Sequence, residues 1–99
     1  MKIARVCGTV TSTQKESTLT GVKFLVVQWM GGEGELLPDY AVAADTVGAG
    51  LDEWVLVSRG SAARFIVNGE TKPIDAAVVA IIDTVSKDNQ LLYSKRTQY

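Results

Sequence analysis

Three apolar runs of this 99-residue chain carry large side chains at both odd and even positions. The runs cover residues 22–30, 53–58 and 76–82. Successive side chains of a strand point to opposite faces, so a strand with one wet face alternates apolar and polar residues. In residues 22–30, Phe24 and Val26 would share one face while Leu25 and Val27 share the other. Both faces of each run therefore need cover from water.

The source of that cover limits the possible folds. Strands that are apolar on both faces usually belong to parallel sheets flanked by helices, but no long helical periodicity occurs in this chain. A large apolar side chain left in water forgoes about 1.5–3 kcal/mol of burial. The pattern predicts an obligate interface with a second copy or another partner. A shifted strand register, or a flattened sandwich with an unusually apolar core, is the alternative.

The candidate interface residues come from these three runs and from the segment between the second and third runs. They are Trp29, Trp54, Arg64, Val79 and Ile81.

Short β-branched runs separated by Gly, Asp and Asn dominate the rest of the chain, which predicts an all-β fold. We expect strands at residues 3–13, 22–30, 40–44, 53–58, 76–82 and 91–93. We expect a hairpin tip at 31–35, one short helical turn at 60–64 and a tight turn at Asn68-Gly69. Many short strands in one domain, here residues 1–99, indicate a small barrel or sandwich.

Composition disfavours several classes of protein. The net charge is -1, with 10 Lys and Arg against 11 Asp and Glu, whereas nucleic-acid binders normally carry a basic face. Cys7 is the only cysteine, so no disulfide can form within the chain, and a reducing cytoplasm fits. No segment approaches the roughly 20 apolar residues of a membrane helix. We expect a soluble intracellular protein without a membrane partner.

The chain contains no His, which removes the commonest general base and metal ligand. Gly48-Ala49-Gly50 is not followed by the Lys and Ser/Thr of a phosphate loop. A turn that needs a flexible backbone explains its two glycines better. The carboxylates are scattered, and Cys7 has no activating neighbour in the sequence. We therefore expect no catalytic, metal-binding or cofactor-binding residues.

Arg59-Gly60-Ser61-Ala62-Ala63-Arg64 supports two interpretations. Exposed backbone N–H groups near an Arg would favour an anion, and a simple turn with a solvated Arg is equally consistent. A single-stranded nucleic-acid-binding barrel would need aromatic platforms among cations. The aromatic residues here are mostly embedded in apolar runs, which is typical of packing residues. A small-ligand-binding oligomer also remains open.

Taken together, these segments resemble the bacterial microcompartment vertex family (the CcmL/EutN type), in particular its carboxysome members. The segments that carry the resemblance are 4–13, 19–24, 45–50, 53–57, 59–64, 73–79 and 81–85. Their order and spacing, which extend over nearly the whole chain, make the resemblance specific.

The resemblance implies a five-stranded barrel of oligonucleotide-binding-like shape, assembled as a homopentamer. Such pentamers cap the vertices of an icosahedral carboxysome shell that is otherwise tiled by hexameric shell proteins, and the shell supports carbon dioxide concentration and fixation. The family is not catalytic. The resemblance also places Gly60, Ser61, Ala62 and Ala63 near the fivefold axis, where they would line a narrow opening.

Overall fold

A computed structural model describes residues 1–12, 17–60, 63 and 74–95 of the protein. The elements in chain order are β1 (Lys2–Val10), a 3₁₀ turn (Ser17–Leu19), β2 (Lys23–Met30), β3 (Leu36–Asp45), β4 (Trp54–Arg59), β5 (Ala76–Ile81), β6 (Thr84–Lys87) and β7 (Gln90–Ser94). No helix in this part of the chain is long and apolar enough to span a membrane.

Five of the strands close into a barrel in the order β1-β2-β3-β5-β4. Four of the five neighbouring pairs are antiparallel. The fifth, β3 with β5, is parallel and consists of two residue pairs, Ala44 with Ala77 and Asp45 with Val78. The predicted all-β, five-stranded barrel is confirmed.

The barrel interior is filled by alternate residues of each strand, as the pleat requires. In β2 the inward residues are Leu25, Val27 and Trp29, and in β4 they are Val55 and Val57. The buried core also includes Ala4, Val6, Ala43, Ala49, Ala76 and Val78.

The second faces of the apolar runs are partly covered by the chain itself. A second buried cluster consists of Val22, Ala44, Ala63, Ile74 and Ala77. Phe24 and Val79 pack against it while remaining half-buried. Segments outside the barrel therefore supply some of the cover that the sequence pattern had assigned to a second copy or another partner.

A two-stranded hairpin, β6 with β7, supplies further cover. Its turn residues Asp88 and Asn89 have φ of 52° and 61°, and such positive φ values are typical of a tight hairpin turn. The sequence predicted only a single strand at 91–93. The Asp-Asn pair was the overlooked signal, because these residues tolerate the left-handed conformation.

Two strand boundaries also differ from the predictions. β3 begins at Leu36 rather than at residue 40, and β1 ends at Val10. β3 includes Pro38, which lacks a backbone N–H and so belongs on the edge of a sheet.

The predicted hairpin tip at 31–35 is confirmed, because the Gly31 N–H donates to the Glu35 carbonyl at 2.9 Å. The predicted turn at Asn68-Gly69 lies outside the described residues.

Candidate assembly surface

Exposed apolar side chains concentrate on β3. Tyr40 is 59% exposed and Val42 is 48% exposed, and Leu36 on the same strand is also exposed. Tyr40 pairs with Gln28 and Val42 pairs with Val26 on β2. Alternate residues share a face, so Tyr40 and Val42 form an apolar strip on the outside of the barrel. We call the outer side of β3 around these two residues the β3 face.

The β3 face adjoins a strand edge. Residue 36 and residues 40–45 pair with β2 on one side. On the other side, within the described residues, β3 pairs only at its last two residues with β5. Backbone N–H and C=O groups on an unpaired edge can join another strand. Pro38 agrees with this position, since proline within a sheet is largely confined to edges.

A cleft of about 290 Å³ lies beside this edge. Its lining residues are Trp29, Tyr40, Ala41, Arg59, Gly60, Asp75 and Ala76. The Arg59 guanidinium lies 5.1 Å from the Trp29 ring centroid, and the Lys2 ammonium lies 5.8 Å from it. Both distances are within the range of cation–π attraction. Of these two cations only Arg59 lines the cleft, and Asp75 lines it as well, so the cleft carries one basic and one acidic residue.

Gly60 connects the cleft to the segment that the family resemblance places near the fivefold axis. Its N–H donates to the Asp75 carbonyl at 2.8 Å, and its φ of 70° is a conformation that favours glycine. Ala63 is fully buried in the second cluster. Ser61 and Ala62 lie outside the described residues.

The loop between β3 and β4 is held by two buried carboxylates. The Asp45 side chain is 2% exposed. Its Oδ1 accepts the N–H groups of residues 47, 48 and 49 at 3.0–3.3 Å. One carboxylate that accepts several N–H groups fixes the start of the loop. Ala49 is consequently held in the barrel core, whereas Leu51 remains exposed.

Glu53 fixes the other end of the loop. The Lys95 ammonium pairs with its Oε2 at 2.5 Å, and the Gly50 N–H donates to its Oε1 at 2.5 Å. The pKa of Glu53 is lowered, mainly by the hydrogen bond from Lys95 and to a smaller extent by the hydrogen bond from the Gly50 N–H. Burial acts in the opposite direction but is outweighed. The Asp52 N–H donates to the Val6 carbonyl at 2.8 Å. Through these contacts the loop is attached to β1 and to the residue after β7.

The four candidate interface residues that the structure describes lie in different surroundings within the protomer. Trp29 is 9% exposed and belongs to the barrel core. Trp54 stacks on Tyr93 of the hairpin. Val79 and Ile81 are half-buried, each packed against one of the two buried clusters. Arg64 lies outside the described residues.

Sequence reasoning missed Tyr40 and Val42 as surface candidates. The only signal was Pro38, which marks an edge strand two residues before Tyr40.

Chemistry-bearing groups are sparse in the part of the chain that the structure describes. No group of three or more Cys, Asp or Glu side chains there is placed to hold a metal ion. The two tryptophans offer no free stacking platform for a base, since Trp29 is buried and Trp54 is stacked on Tyr93. The single-stranded nucleic-acid interpretation, which needs such platforms, gains no support.

Comparison with known proteins connects this architecture to a family. A protein-family model described as "Ethanolamine utilisation protein EutN/carboxysome" matches residues 1–83. The chain is 85% identical over 99 residues, covering all of both chains, to the carboxysome shell vertex protein CcmL of Thermosynechococcus vestitus.

Solved structures show the same fold. The Gloeobacter violaceus CcmL structure is similar at a TM-score of 0.93 and 61% identity, covering 97% of this chain and 99% of that one. A pentameric microcompartment shell protein, GrpN from Rhodospirillum rubrum, is similar at a TM-score of 0.80 and 45% identity, covering 90% of this chain and all of that one. The barrel described above is thus shared with a solved CcmL and with a pentameric microcompartment shell protein.

Proposed function

Because the chain belongs to the EutN/CcmL family, we propose that it is a carboxysome shell vertex protein that assembles as a pentamer. The observation that carries this function is the 85% identity, over the full length of both chains, to a protein named for that role. The protein is accordingly located in the carboxysome shell, within the cytoplasm. All 99 residues form one vertex domain in this proposal.

The geometry of a closed shell explains why a pentamer is needed. A flat hexagonal layer cannot close into a polyhedron without pentagonal positions. A five-membered ring is built from head-to-tail contacts, in which two different patches of the chain meet. A small barrel with an open apolar face, such as the β3 face, supplies a surface for such contacts.

The partners in this proposal are other copies of the chain and the hexameric shell proteins of the carboxysome. No nucleic acid and no membrane is a partner. By closing the shell, the pentamer supports carbon dioxide concentration and fixation without acting on a substrate itself. A structural rather than enzymatic role is supported by the absence of His from the sequence, and the role requires no cofactor.

The segment of Gly60, Ser61, Ala62 and Ala63 lies near the fivefold axis in this proposal. The exposed position and positive φ of Gly60 support a close approach of backbones there. Ala63 can contribute to the axis through its backbone, since its side chain is buried in the protomer.

Co-assembly with a hexameric carboxysome shell protein tests the proposed function. Hexamers alone should form open sheets or tubes in electron micrographs, and hexamers with this protein should form closed particles. Failure to close the particles, with a folded pentamer present, would contradict the vertex role. Salt-sensitive retention of single-stranded DNA by the purified protein would instead favour a nucleic-acid-binding module.

A further inference from the structure

We propose that the β3 face, centred on Tyr40 and Val42, is one half of the contact between neighbouring copies in the ring. The inference rests on the proposed pentamer and names a surface through which its copies contact one another. The second half belongs to a different patch of the next copy, because a cyclic ring uses head-to-tail contacts.

The distribution of exposed apolar residues singles out this strand. Eight large hydrophobic side chains are exposed among the described residues. Three of them lie on β3, and the other five are distributed over four other places in the fold: the start and end of β1, the loop after β3, and β7. Single exposed apolar residues are normal on a surface, whereas a contiguous group marks an interaction site.

Among the described residues, the edge of β3 before Ala44 has no pairing strand on its second side, which makes the same strip a poor candidate for a solvent-facing surface. Proteins protect free edges with lysines, inward charges or covering segments. β3 contains no Lys, and its two charged residues are Asp39 and Asp45. Asp45 is turned into the following loop, so Asp39 is the only exposed charge on the strand. An edge that is this apolar and this weakly charged is expected to be covered in the working assembly.

The position of the β3 face indicates that it binds a second copy of this chain rather than a hexameric shell protein. Tyr40 and Gly60 line the same cleft, and Gly60 begins the segment proposed to lie near the fivefold axis. In a ring, surfaces beside the axis meet other copies, whereas a hexamer can reach only the outer rim. The structural relative GrpN is itself a pentameric microcompartment shell protein.

Single charged substitutions test the proposal. Tyr40→Asp and Val42→Asp place a carboxylate at positions that are 59% and 48% exposed in the protomer, so each variant should retain its far-UV circular dichroism. We expect the native mass to fall from that of the pentamer to that of the 10.6 kDa protomer. Leu91→Asp is the matched control, since Leu91 is 60% exposed on β7, and it should remain pentameric.

The outcomes separate this inference from the proposed function. If the wild-type protein is not a pentamer, the proposed function itself fails. If the wild type is a pentamer and both variants remain pentameric at micromolar concentration, the β3 face is not the contact and the inference is overturned.

Thiol labelling provides a second measurement that does not depend on how the charged variants fold. Val42→Cys and Leu91→Cys are each made in a Cys7→Ser background, and alkylation is followed by mass spectrometry. In the assembled protein we expect labelling at position 42 to be slower than at position 91 by about tenfold or more. Equal rates would overturn the proposal. Protection of position 42 only after a hexameric shell protein is added would also overturn it, because the occupant would then be the hexamer.

Discussion

The indole of Trp54 and the ring of Tyr93 stack with centroids 4.1 Å apart and planes inclined by 15°. Trp54 begins the barrel strand β4, and Tyr93 lies near the end of the hairpin strand β7. Tyr93 is buried, and Ile3 and Leu92 line the small cavity beside the indole. The stack therefore attaches the hairpin to the outside of the barrel and covers an apolar face that the barrel alone would leave open.

Replacement of Tyr93 by Leu should weaken this attachment while keeping an apolar side chain in place. Aromatic stacking contributes about 0.5–1.5 kcal/mol beyond burial, and the altered shape adds to the loss. We expect a decrease of about 1–3 kcal/mol in the free energy of unfolding and a reduced tryptophan signal in near-UV circular dichroism. Leu91→Ala, at an exposed position on the same strand, should change stability by less than about 0.5 kcal/mol. Equal effects of the two changes would contradict this role of the stack.

Replacement of Asp45 by Ala should release the loop that leads into β4. Three backbone N–H groups lose their shared acceptor, and unpaired donors near a buried position are costly. We expect a loss of about 2–4 kcal/mol in the free energy of unfolding, measured by chemical denaturation. Asp45→Asn keeps one side-chain oxygen and should lose less. Asp83→Ala, at an exposed position, is the control and should have little effect.

The lowered pKa of Glu53 gives a pH dependence of defined sign. Glutamate in an unfolded chain has a pKa of about 4.3, and the folded-state value is lower because of Lys95 and the Gly50 N–H. The carboxylate therefore contributes stability above about pH 4.3, and this contribution disappears as the pH falls toward the folded-state pKa. The stability difference between wild type and Glu53→Gln should be constant near neutral pH and should narrow below about pH 4.3.

Denaturation curves between pH 3 and 7 would measure that difference. Leu91→Ala changes no charge, so its difference from wild type should not vary with pH. If the stability difference between wild type and Glu53→Gln also stays constant down to pH 3, the Lys95 contact does not stabilise the ionised form of Glu53. All stability comparisons need one protomer concentration, because the stability of an oligomer depends on it.

Ser61→Trp tests whether the proposed axial segment borders an opening. Five indoles around one axis should fill a narrow passage, so permeation of a small anion through vertices should stop in closed shells whose hexamer pores are blocked. Leu91→Trp, made at an exposed position on β7, should leave permeation unchanged. Unaltered permeation in the Ser61→Trp shells would argue that the segment is a packed turn.

The barrel strands could be predicted because their signals are local. Period-two alternation identified Leu25, Val27 and Trp29 as sharing one face of β2, and the structure buries all three. Similarly, Val55 and Val57 share the inner face of β4. The pleat alone gives this grouping of residues. It does not say which face turns inward, because both faces of these runs are apolar.

The sources of external cover could not be predicted because they depend on contacts far apart in the sequence. Trp54 was a candidate interface residue, and within the protomer Tyr93 stacks on its ring. Trp29 was a candidate interface residue because it belongs to a run that is apolar on both faces. Its pairing opposite Ala4 turns the side chain into the barrel. Only closure of the barrel reveals that Tyr40 and Val42 remain open to solvent.

The native mass of the purified wild-type protein tests the account most directly. Five copies of the 10.6 kDa chain should give a single species of about 53 kDa in native mass spectrometry, stable on dilution through the micromolar range. A monomer, a dimer or a hexamer as the dominant species under those conditions would contradict the vertex role.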